Sequence, residues 1–335
     1  MIVILSTEED QSTSEVIDWL HDFGATCTRI NGSSNVRLQQ IIFQDTGTPV
    51  VNFIHKNKLI STHEISAFWY RRGNVWFDIG DIPFDEWESS FAESVKVQLN
   101  QELDTVRELL HSVFEKSHSL GSYAKKGVNK LKMLWEAKNV GLDVPHTSVH
   151  ISLDNVKGEF SVPIITKSIS ENLNISEEFS NGELRTYTMY TEEVKVENTR
   201  ENFFPSLIQE KLDKKFEVRS FYLAGEVYSM AIFSQADDKT KTDFRKYNRI
   251  TPNRTCPIIL PLEIKNKLNE LMENVNLDTG SIDFVVTKDN KFVFLEVNPV
   301  GQFGMVSDPC NYKLEKKIAQ YLIHNEETKN EKLFK

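Results

Sequence analysis

The chain has few cysteines, and their spacing forms no motif. Cys27, Cys256 and Cys310 are the three cysteines among 335 residues, and no CxxC pair occurs. A disulfide framework needs paired cysteines, and a structural zinc site needs closely spaced Cys or His ligands. Cys310 has no histidine close in sequence, so we interpret it as a structural thiol. This cysteine usage is typical of a protein from a reducing cytosol.

Net positive charge and long apolar runs are also missing. The formal net charge is −10, which argues against general binding of nucleic acid or anionic membranes and favours a basic partner such as a peptide. No run approaches the ~20 apolar residues of a membrane span. The opening MIVILSTEED lacks the basic and apolar regions of a signal peptide. We expect a cytoplasmic protein that binds neither nucleic acid nor membrane.

Familiar nucleotide and metal motifs are absent as well. The sequence contains neither GxxxxGK[ST] nor GxGxxG, which argues against P-loop and Rossmann nucleotide sites. His146 and His150 would share a face of a strand, but no third metal ligand lies near them in sequence. We interpret both histidines as ordinary turn and strand residues.

The sequence pattern predicts strands and helices along the chain. IVIL and TCTRIN flank a helical pattern that Thr13 or Ser14 would cap and Gly24 would end, so the chain opens strand–helix–strand, which predicts a parallel sheet. The polar stretch 168–185 lacks a strong period, and we expect a loop there. The fold class is α/β (α+β), with predicted domains at residues 1–120, 121–206 and 207–335.

Near the C-terminus, two β-rich runs, SIDFVV and KFVFLEVN, surround TKDN and predict a β-hairpin. A two-residue loop at 289–290 would set Val286 opposite Val293 and Asp283 opposite Glu296. The two carboxylates would then lie on one face, with Cβ atoms about 5 Å apart.

Asp283 and Glu296 each interrupt an apolar strand, and Asn298 shares their face because it follows Glu296 by two positions. Two carboxylates this close repel each other unless a proton or a cation lies between them. Mg²⁺ commonly uses one or two carboxylates together with substrate phosphates. The pattern therefore indicates a Mg²⁺ site, and the alternative is an edge hairpin with solvated acids.

Basic residues elsewhere are suited to phosphates. Lys167 ends the apolar strand VPIITK, and Lys130 lies near a helix start, where backbone amides favour anions. Arg245 in TDFRKYNR offers the planar fork that binds phosphate or carboxylate. The alternative for each is a solvated surface charge.

QEKL, residues 209–212, is a candidate hinge between domains. Extended backbone with exposed amide and carbonyl groups is suited to the hydrogen-bonding edge of an adenine. Glu217 and Arg219 follow it in EVR.

In their order along the chain, these features resemble the ATP-grasp ligases: Lys130, Lys167, QEKL, EVR, DFR, Asp283 and EVN. The resemblance covers about residues 121–321. The chain is similar to the peptide-modifying members, namely ribosomal-protein glutamate ligases and, above all, graspetide synthetases of the microviridin maturase type. FWYRR at 68–72 and TDFRKYN resemble that subgroup, and the opening twenty residues resemble its grasp-with-spasm branch. Many members carry a glycine-rich loop after the second lysine, whereas this chain has only Gly182 there.

The resemblance implies an ATP-grasp fold with an N-terminal α/β pre-ATP-grasp domain, and an enzyme that uses ATP and Mg²⁺, expected as two ions. ATP would phosphorylate an Asp or Glu side chain of a ribosomal precursor peptide that has a leader and a core. A Thr or Ser hydroxyl, or a Lys amine, would then displace the phosphate and close an ω-ester or ω-amide ring. A homodimer is also implied.

The same resemblance implies a role for each site residue. Mg²⁺ would be held by Asp283, Glu296 and Asn298. ATP would be contacted by Lys130, Lys167, Gln209, Glu210, Lys211, Leu212 and Glu217. The catalytic arginines, facing the acylphosphate or the acidic core residues, would be Arg219 and Arg245.

Other interpretations stay open. One is a glutamate ligase that acts on a peptide or protein terminus, and another is a non-catalytic peptide-binding homologue, against which the intact carboxylates argue. Four acids in the segment 191–203 would either meet a basic leader residue or form a solvated helix face: Glu192, Glu193, Glu197 and Glu201. In FWYRR, we expect the aromatic residues to pack, and Arg71 and Arg72 to pair with acids or line the site.

Overall fold

The structure is a computed structural model that describes residues 1–80, 82–170, 174–178, 184–188, 191–195, 199–238, 240–246 and 250–333. The chain divides into two compact units. The N-terminal unit comprises Met1–Lys126 with Lys313–Lys335, and the C-terminal unit comprises Gly127–Tyr312. The predicted boundary after residue 120 lies close to this division, but the end of the chain groups with the N-terminal unit instead of with residues 207–312. The predicted division at 206/207 stays a prediction.

The elements follow one another in a mixed order of strands and helices. Those within Met1–Lys126 are β1 (Ile2–Ser6), α1 (Gln11–Asp22), β2 (Cys27–Asn31), β3 (Asn35–Ile42), β4 (Val50–His55), β5 (Lys58–Ser61), β6 (Ala67–Tyr70), β7 (Trp76–Phe77), α2 (Ser89–Phe114) and β8 (His118–Leu120). The remaining elements are α3 (Lys130–Asn139), β9 (Thr147–Ser152), α4 (Leu153–Glu159), β10 (Ile164–Lys167), β11 (Asn174–Glu178), β12 (Leu184–Thr188), β13 (Glu192–Glu193), β14 (Asn202–Glu210), β15 (Lys214–Leu223), β16 (Glu226–Phe233), β17 (Arg254–Ile258), α5 (Leu262–Asn274), β18 (Thr279–Thr287), β19 (Phe292–Asn298), α6 (Gly304–Cys310) and α7 (Leu314–Leu333).

The N-terminal unit contains a parallel sheet in the order β2-β1-β6-β8 and a second sheet in the order β5-β4-β3-β7. β1 is buried along its length, as expected for a parallel strand covered on both faces. The cap of α1 is Asp10, whose carboxylate accepts from the Thr13 amide at 3.0 Å, so the predicted caps Thr13 and Ser14 are wrong. Gly24, at a φ of +75°, follows the helix end as predicted. α7 packs against α1, β6 and β8, and this packing places the chain end in this unit.

The C-terminal unit contains two antiparallel sheets, ordered β13-β10-β14-β9 and β17-β16-β15-β18-β19. Side chains of α3 and α5 share a core with the five-stranded sheet, in which Phe284 and Phe294 are fully buried. α4 packs on the other sheet through Val156, which meets Ile164 and Ile208. These two cores hold in place the strands that carry the predicted site residues.

Part of the predicted loop 168–185 is a hairpin instead. β11 pairs with β12, with Asn174 opposite Thr188. Pairing between two strands needs only the backbone groups that face each other and no alternation of apolar side chains, so the polar sequence did not mark the hairpin. Gly182 lies outside the described residues.

Candidate active site

The turn of the β18–β19 hairpin has three residues, 288–290, instead of the predicted two. Asn290 adopts a φ of +64°, the left-handed conformation that typically closes a three-residue loop. The additional residue shifts the pairing next to the turn by one position. Val286 therefore lies opposite Phe292, and its predicted pairing with Val293 is wrong.

A β-bulge at Leu295 restores the predicted pairing further along the hairpin. Phe284 lies opposite Phe294, whereas its neighbour Asp283 lies opposite Glu296, so Leu295 is the extra residue. The longer turn and the bulge shift the register of the hairpin in opposite directions, and their effects on the pairing of Asp283 cancel. The predicted cross-strand pair of carboxylates is confirmed, although the turn from which it was inferred is wrong.

Asp283 lies between Glu296 on one neighbouring strand and Arg219 on the other. The Nε atom of Arg219 is 3.8 Å from Asp283 Oδ1, and this oxygen is buried and accepts no hydrogen bond within the described part of the chain. Burial raises the pKa of Asp283, the Arg219 charge opposes this, and Glu296 adds to it. A buried carboxylate oxygen without a hydrogen-bond donor is suited to a hard cation.

Glu296 is surrounded by cations. Lys130 Nζ lies 3.6 Å from Glu296 Oε2. Burial would raise the pKa of Glu296, but the charges of Lys167, Lys130 and Arg245 outweigh it, so the pKa lies below its usual value. The pKa of Lys167 is lowered, chiefly by burial, with Lys130 and Arg245 also lowering it. These cations carry more positive charge than the single carboxylate of Glu296 can neutralise. This end of the site is therefore suited to a polyanion.

Asp243 holds Arg245 in place. Arg245 donates from Nε to Asp243 Oδ1 at 2.9 Å and from Nη2 to Oδ2 at 2.6 Å, and the Thr191 amide donates to Oδ2 at 3.1 Å. Burial alone raises the pKa of Asp243, but the hydrogen bonds from Arg245 more than offset it, and the pKa is lowered. Arg245 is therefore preorganised and not a freely solvated charge. Arg249, in the same motif, lies outside the described residues.

A cavity of about 440 Å³ in the C-terminal unit collects most of the predicted site. The predicted residues that line it are Lys167, Gln209, Glu210, Lys211, Leu212, Glu217, Arg245, Asp283 and Glu296. Lys130 and Arg219 do not line it, but each lies beside one of the carboxylates. Asn298 does not line the cavity; it is exposed, and its Oδ1 accepts from the Val300 amide at 3.1 Å. Its role as a ligand stays a prediction.

The apolar wall of the cavity was missed in the sequence. Besides Leu212, seven apolar residues from several segments contribute to it: Pro145, Pro163, Ile165, Phe244, Phe284, Val285 and Leu295. Ile165 carries a readable signal, because it precedes Lys167 by two positions on β10 and so shares its face. Leu295 enters the wall through its bulge, which no sequence pattern marked.

A second ion pair at the cavity was also missed. Lys214 and the Ser234 hydroxyl both donate to the carboxylate of Glu217, a residue 5% exposed. Burial raises the pKa of Glu217, and Lys214 opposes the rise. The Lys214 ammonium also donates to the Thr242 carbonyl at 3.2 Å. Glu217 is thus held rigidly beside the hinge.

Two amides of the predicted hinge are already occupied. The Glu210 amide donates to the His146 carbonyl at 3.0 Å, and the Lys211 amide donates to the Pro163 carbonyl at 2.7 Å. The Leu212 amide makes no such bond among the residues described here. Leu212 therefore offers the hinge donor for a ligand in the cavity.

His146 and His150 have a third partner that the sequence did not indicate. Their Nε2 atoms lie 2.8 Å and 2.7 Å from the two carboxylate oxygens of Glu159 at the end of α4. This cluster ties α4 to the segment around β9. In the described ranges, no group of three or more His, Cys, Asp or Glu residues is arranged to hold a metal ion. A cation at the Asp283–Glu296 pair would therefore need further ligands from its substrate.

No family model matches the chain, and no curated protein matches it by sequence. Solved structures match it over nearly its whole length. It is similar to a RiPP-associated ATP-grasp ligase from Chryseobacterium gregarium in complex with ADP and a leader and core peptide, with a TM-score of 0.77 and 24% identity over 96% of each chain. It is also similar to the macrocyclase MdnC from Microcystis aeruginosa MRC bound with precursor peptide MdnA, with a TM-score of 0.70 and 24% identity, covering 97% of this chain and 100% of that one.

A third similar structure is the ATP-grasp ligase PsnB complexed with minimal precursor, Mg and ADP, with a TM-score of 0.68 and 15% identity over 97% of this chain and 96% of that one. Identities this low establish the fold. The chain has the ATP-grasp fold, and the predicted fold class is confirmed. None of the described helices is both long and apolar enough to cross a bilayer.

Proposed function

We propose that the chain is an ATP-dependent peptide macrocyclase, a graspetide synthetase. One observation carries the proposal: the paired carboxylates lie at a single cavity together with four cations that act on Glu296, namely Lys130, Lys167, Arg219 and Arg245. The same cavity has an apolar wall and includes the predicted hinge. On an ATP-grasp fold, this combination fits a nucleoside triphosphate at one end of the cavity and a substrate carboxylate at the other. The C. gregarium and M. aeruginosa structures, each bound to a peptide, support a peptide as the second substrate.

In this proposal the adenine of ATP lies against the apolar wall, with its edge at the Leu212 amide. Lys130 and Lys167 neutralise the phosphates, while Asp283 and Glu296 hold Mg²⁺, expected as two ions. Mg²⁺ held by these two carboxylates would neutralise the charge that develops on the phosphates. Asn298 is the third predicted ligand, and its Oδ1 has a second lone pair besides the one that accepts from the Val300 amide.

The reaction has two steps. A carboxylate oxygen of the precursor peptide attacks the γ-phosphorus of ATP, the bond to the bridging oxygen breaks, and ADP leaves. A Thr or Ser hydroxyl, or a Lys amine, then attacks the acyl carbon and gives up its proton, and inorganic phosphate leaves. Arg219 and Arg245 orient the carboxylate and stabilise the charge on the acylphosphate, and Arg245 does so at little reorganisation cost because Asp243 already holds it.

The partner is a ribosomal precursor peptide with a leader and a core. Exposed Glu192 and Glu193 on β13 are candidate contacts for a basic leader residue, with Glu192 already paired to Lys246 and Glu193 to Lys211. We infer that the protein acts in the cytoplasm as a homodimer.

A glutamate ligase would use the same acylphosphate with a free amino acid as the nucleophile. Incubating the full chain with a candidate precursor, ATP and Mg²⁺, followed by mass spectrometry, separates the two functions. Cyclisation removes one water mass per ring, whereas ligation adds one glutamate residue. An unchanged peptide mass together with nucleotide binding would favour the non-catalytic homologue.

A further inference from the structure

In the parallel sheet of the N-terminal unit, the side at which the strands reach their C-terminal ends has the geometry of a ligand site. β1 leads through α1 to β2 on one side, whereas β6 leads through α2 to β8 on the other side. The loops after β1 and β6 therefore diverge between these two neighbouring strands. In open parallel sheets, ligands bind in this crevice at the carboxyl ends of the strands. The loops here are residues 7–10 and 71–74.

These two loops bring one carboxylate to two guanidinium groups. Asp10 Oδ2 lies 3.3 Å from Arg71 Nε and 2.7 Å from Arg72 Nε. Burial, followed by the charge of Arg72, lowers the pKa of Arg71 to about 10, although Asp10 opposes both. The FWYRR motif thus pairs with an acid, as one of its two predicted roles required. The three side chains together carry one net positive charge.

The loop after β1 is held by Arg29 of β2. Its guanidinium donates to the carbonyls of Thr7 and Asp10, the latter at 3.3 Å, and to the Ser14 hydroxyl at 2.9 Å. Asp10 Oδ1 is meanwhile fixed by the Thr13 amide at 3.0 Å. The carboxylate between the two arginines therefore has a defined position.

The loop after β6 is held against the end of β1. The amides of Arg71 and Arg72 donate to the Leu5 carbonyl at 3.0 Å and 3.3 Å. Gly73 follows at a φ of +87°, and a Cβ atom there would lie 2.8 Å from the Ser6 carbonyl oxygen. Only glycine permits this close approach. Both loops are therefore built to present Arg72, whose side chain is 31% exposed, at the edge of the sheet.

We propose that Arg72, ordered by Asp10 and Arg71, binds a carboxylate at this edge, and that this carboxylate is an acidic side chain of the peptide on which the enzyme acts. The identity of the peptide rests on the proposed function, whereas the carboxylate site does not. The planar fork of arginine matches a carboxylate. One net positive charge suits a monoanion, and Asp10 would repel the second charge of a phosphate.

The test uses the full chain labelled with ¹⁵N-arginine, and follows the side-chain Nε resonance that is missing from the spectrum of Arg72→Lys. The main probe is N-acetyl-glutamate α-amide, whose one charge is the side-chain carboxylate. N-acetyl-glutamine carries only the α-carboxylate, inorganic phosphate carries the competing anion, and N-acetyl-glutamine amide is neutral. We expect a saturable shift with the main probe and an affinity at least about tenfold weaker for the neutral probe, which cannot accept a charge-assisted hydrogen bond. Phosphate should bind more weakly than the main probe because Asp10 repels its second charge, and the α-carboxylate should also bind more weakly if the site is built for an acidic side chain.

Arg72→Gln should abolish the saturable shift of the remaining arginine resonances of the site, and Arg37→Gln, which changes an exposed arginine on β3, should leave it intact. Tighter binding of phosphate or of the α-carboxylate, or no saturable shift with the main probe, would overturn the proposal. None of these readouts needs catalysis. A chain that binds the main probe but never cyclises a peptide would therefore refute the proposed function and leave the carboxylate site standing.

Discussion

The two units of this chain assemble opposite charges by different means. In the C-terminal unit, Asp283 and Glu296 meet across one hairpin, because antiparallel pairing places them opposite each other. In the N-terminal unit, Asp10 meets Arg71 and Arg72 because two parallel strands end side by side. The first arrangement follows from a local register, whereas the second joins residues about sixty positions apart. The difference determines which cluster can be read from the sequence.

The balance of charge differs as well. The hairpin site combines two carboxylates with an excess of cations, and its two acids respond in opposite ways: burial raises the pKa of Asp283, while the neighbouring cations outweigh burial at Glu296 and lower its pKa. The N-terminal cluster has a single carboxylate between two guanidinium groups. This difference underlies our proposals of a metal with a polyanion at the hairpin site and of a monoanion at the N-terminal cluster.

The largest effect is expected at the hairpin. Glu296→Gln removes one charge of the predicted metal site at nearly constant shape, so we expect ATP turnover with a precursor peptide to fall at least ~100-fold. ADP release measures this, and circular dichroism checks the fold. Glu263→Gln is the matched control, since Glu263 is exposed on α5 and pairs only with Lys267 in the described chain. Turnover of Glu296→Gln at the level of this control would refute the metal assignment.

Neighbouring positions on β19 separate the core from the cavity wall. Phe294 is fully buried, and Phe294→Ala should lower the free energy of unfolding by about 3–5 kcal/mol. Leu295, the bulged residue, lines the cavity, so Leu295→Ala should mainly raise the KM for ATP. Urea denaturation and steady-state kinetics measure the two effects. Equal destabilisation by both substitutions would mean that Leu295 belongs to the core.

In the N-terminal unit, Asp10→Ala removes both the cap of α1 and the carboxylate between two arginines. We expect a loss of about 2–4 kcal/mol in the free energy of unfolding. Asp10→Asn should lose less, because its amide oxygen can still accept from the Thr13 amide. Chemical denaturation compares the two variants with the wild type. A smaller loss in Asp10→Ala than in Asp10→Asn would contradict the assigned roles.

The smallest effect concerns stability at the hairpin. Because the folded pKa of Asp283 is raised, the folded chain binds its proton more tightly than the unfolded chain, and stability falls as the pH rises through that pKa. In EDTA at neutral pH, Asp283→Asn should therefore stabilise the protein by on the order of 1 kcal/mol while abolishing turnover.

Glu296 should behave in the opposite way. Its lowered pKa contributes stability that is present above the ordinary glutamate pKa and is lost as the pH falls through the folded value. Glu296→Gln should therefore destabilise the chain at neutral pH, as thermal unfolding would show. Shifts of the same sign in both variants would rule out the opposite environments of the two acids.

Sequence patterns predicted the hairpin, the hinge and the cations because each lies in a short segment with its own signal. The bulge at Leu295 was not predictable, since an extra residue in a strand leaves the apolar pattern almost unchanged. The hairpin in the predicted loop was missed because its sequence is polar. The Glu159 partner of His146 and His150 and the apolar wall were missed for another reason. Each depends on contacts between separate segments, and such contacts leave no signal in the sequence of either segment.

The sequence by itself determined that two β-rich runs form a hairpin and that Glu296 and Asn298 share one face of its second strand. The register that sets Asp283 opposite Glu296 depends on the three-residue turn and on the bulge at Leu295, which the structure decided. It also determined the parallel opening of the chain. Only the tertiary structure decided that the chain end returns to the N-terminal unit, that Leu212 offers the available hinge amide, and that Arg72 shares Asp10 with Arg71. These outcomes depend on packing between distant segments, and packing is settled by the whole fold.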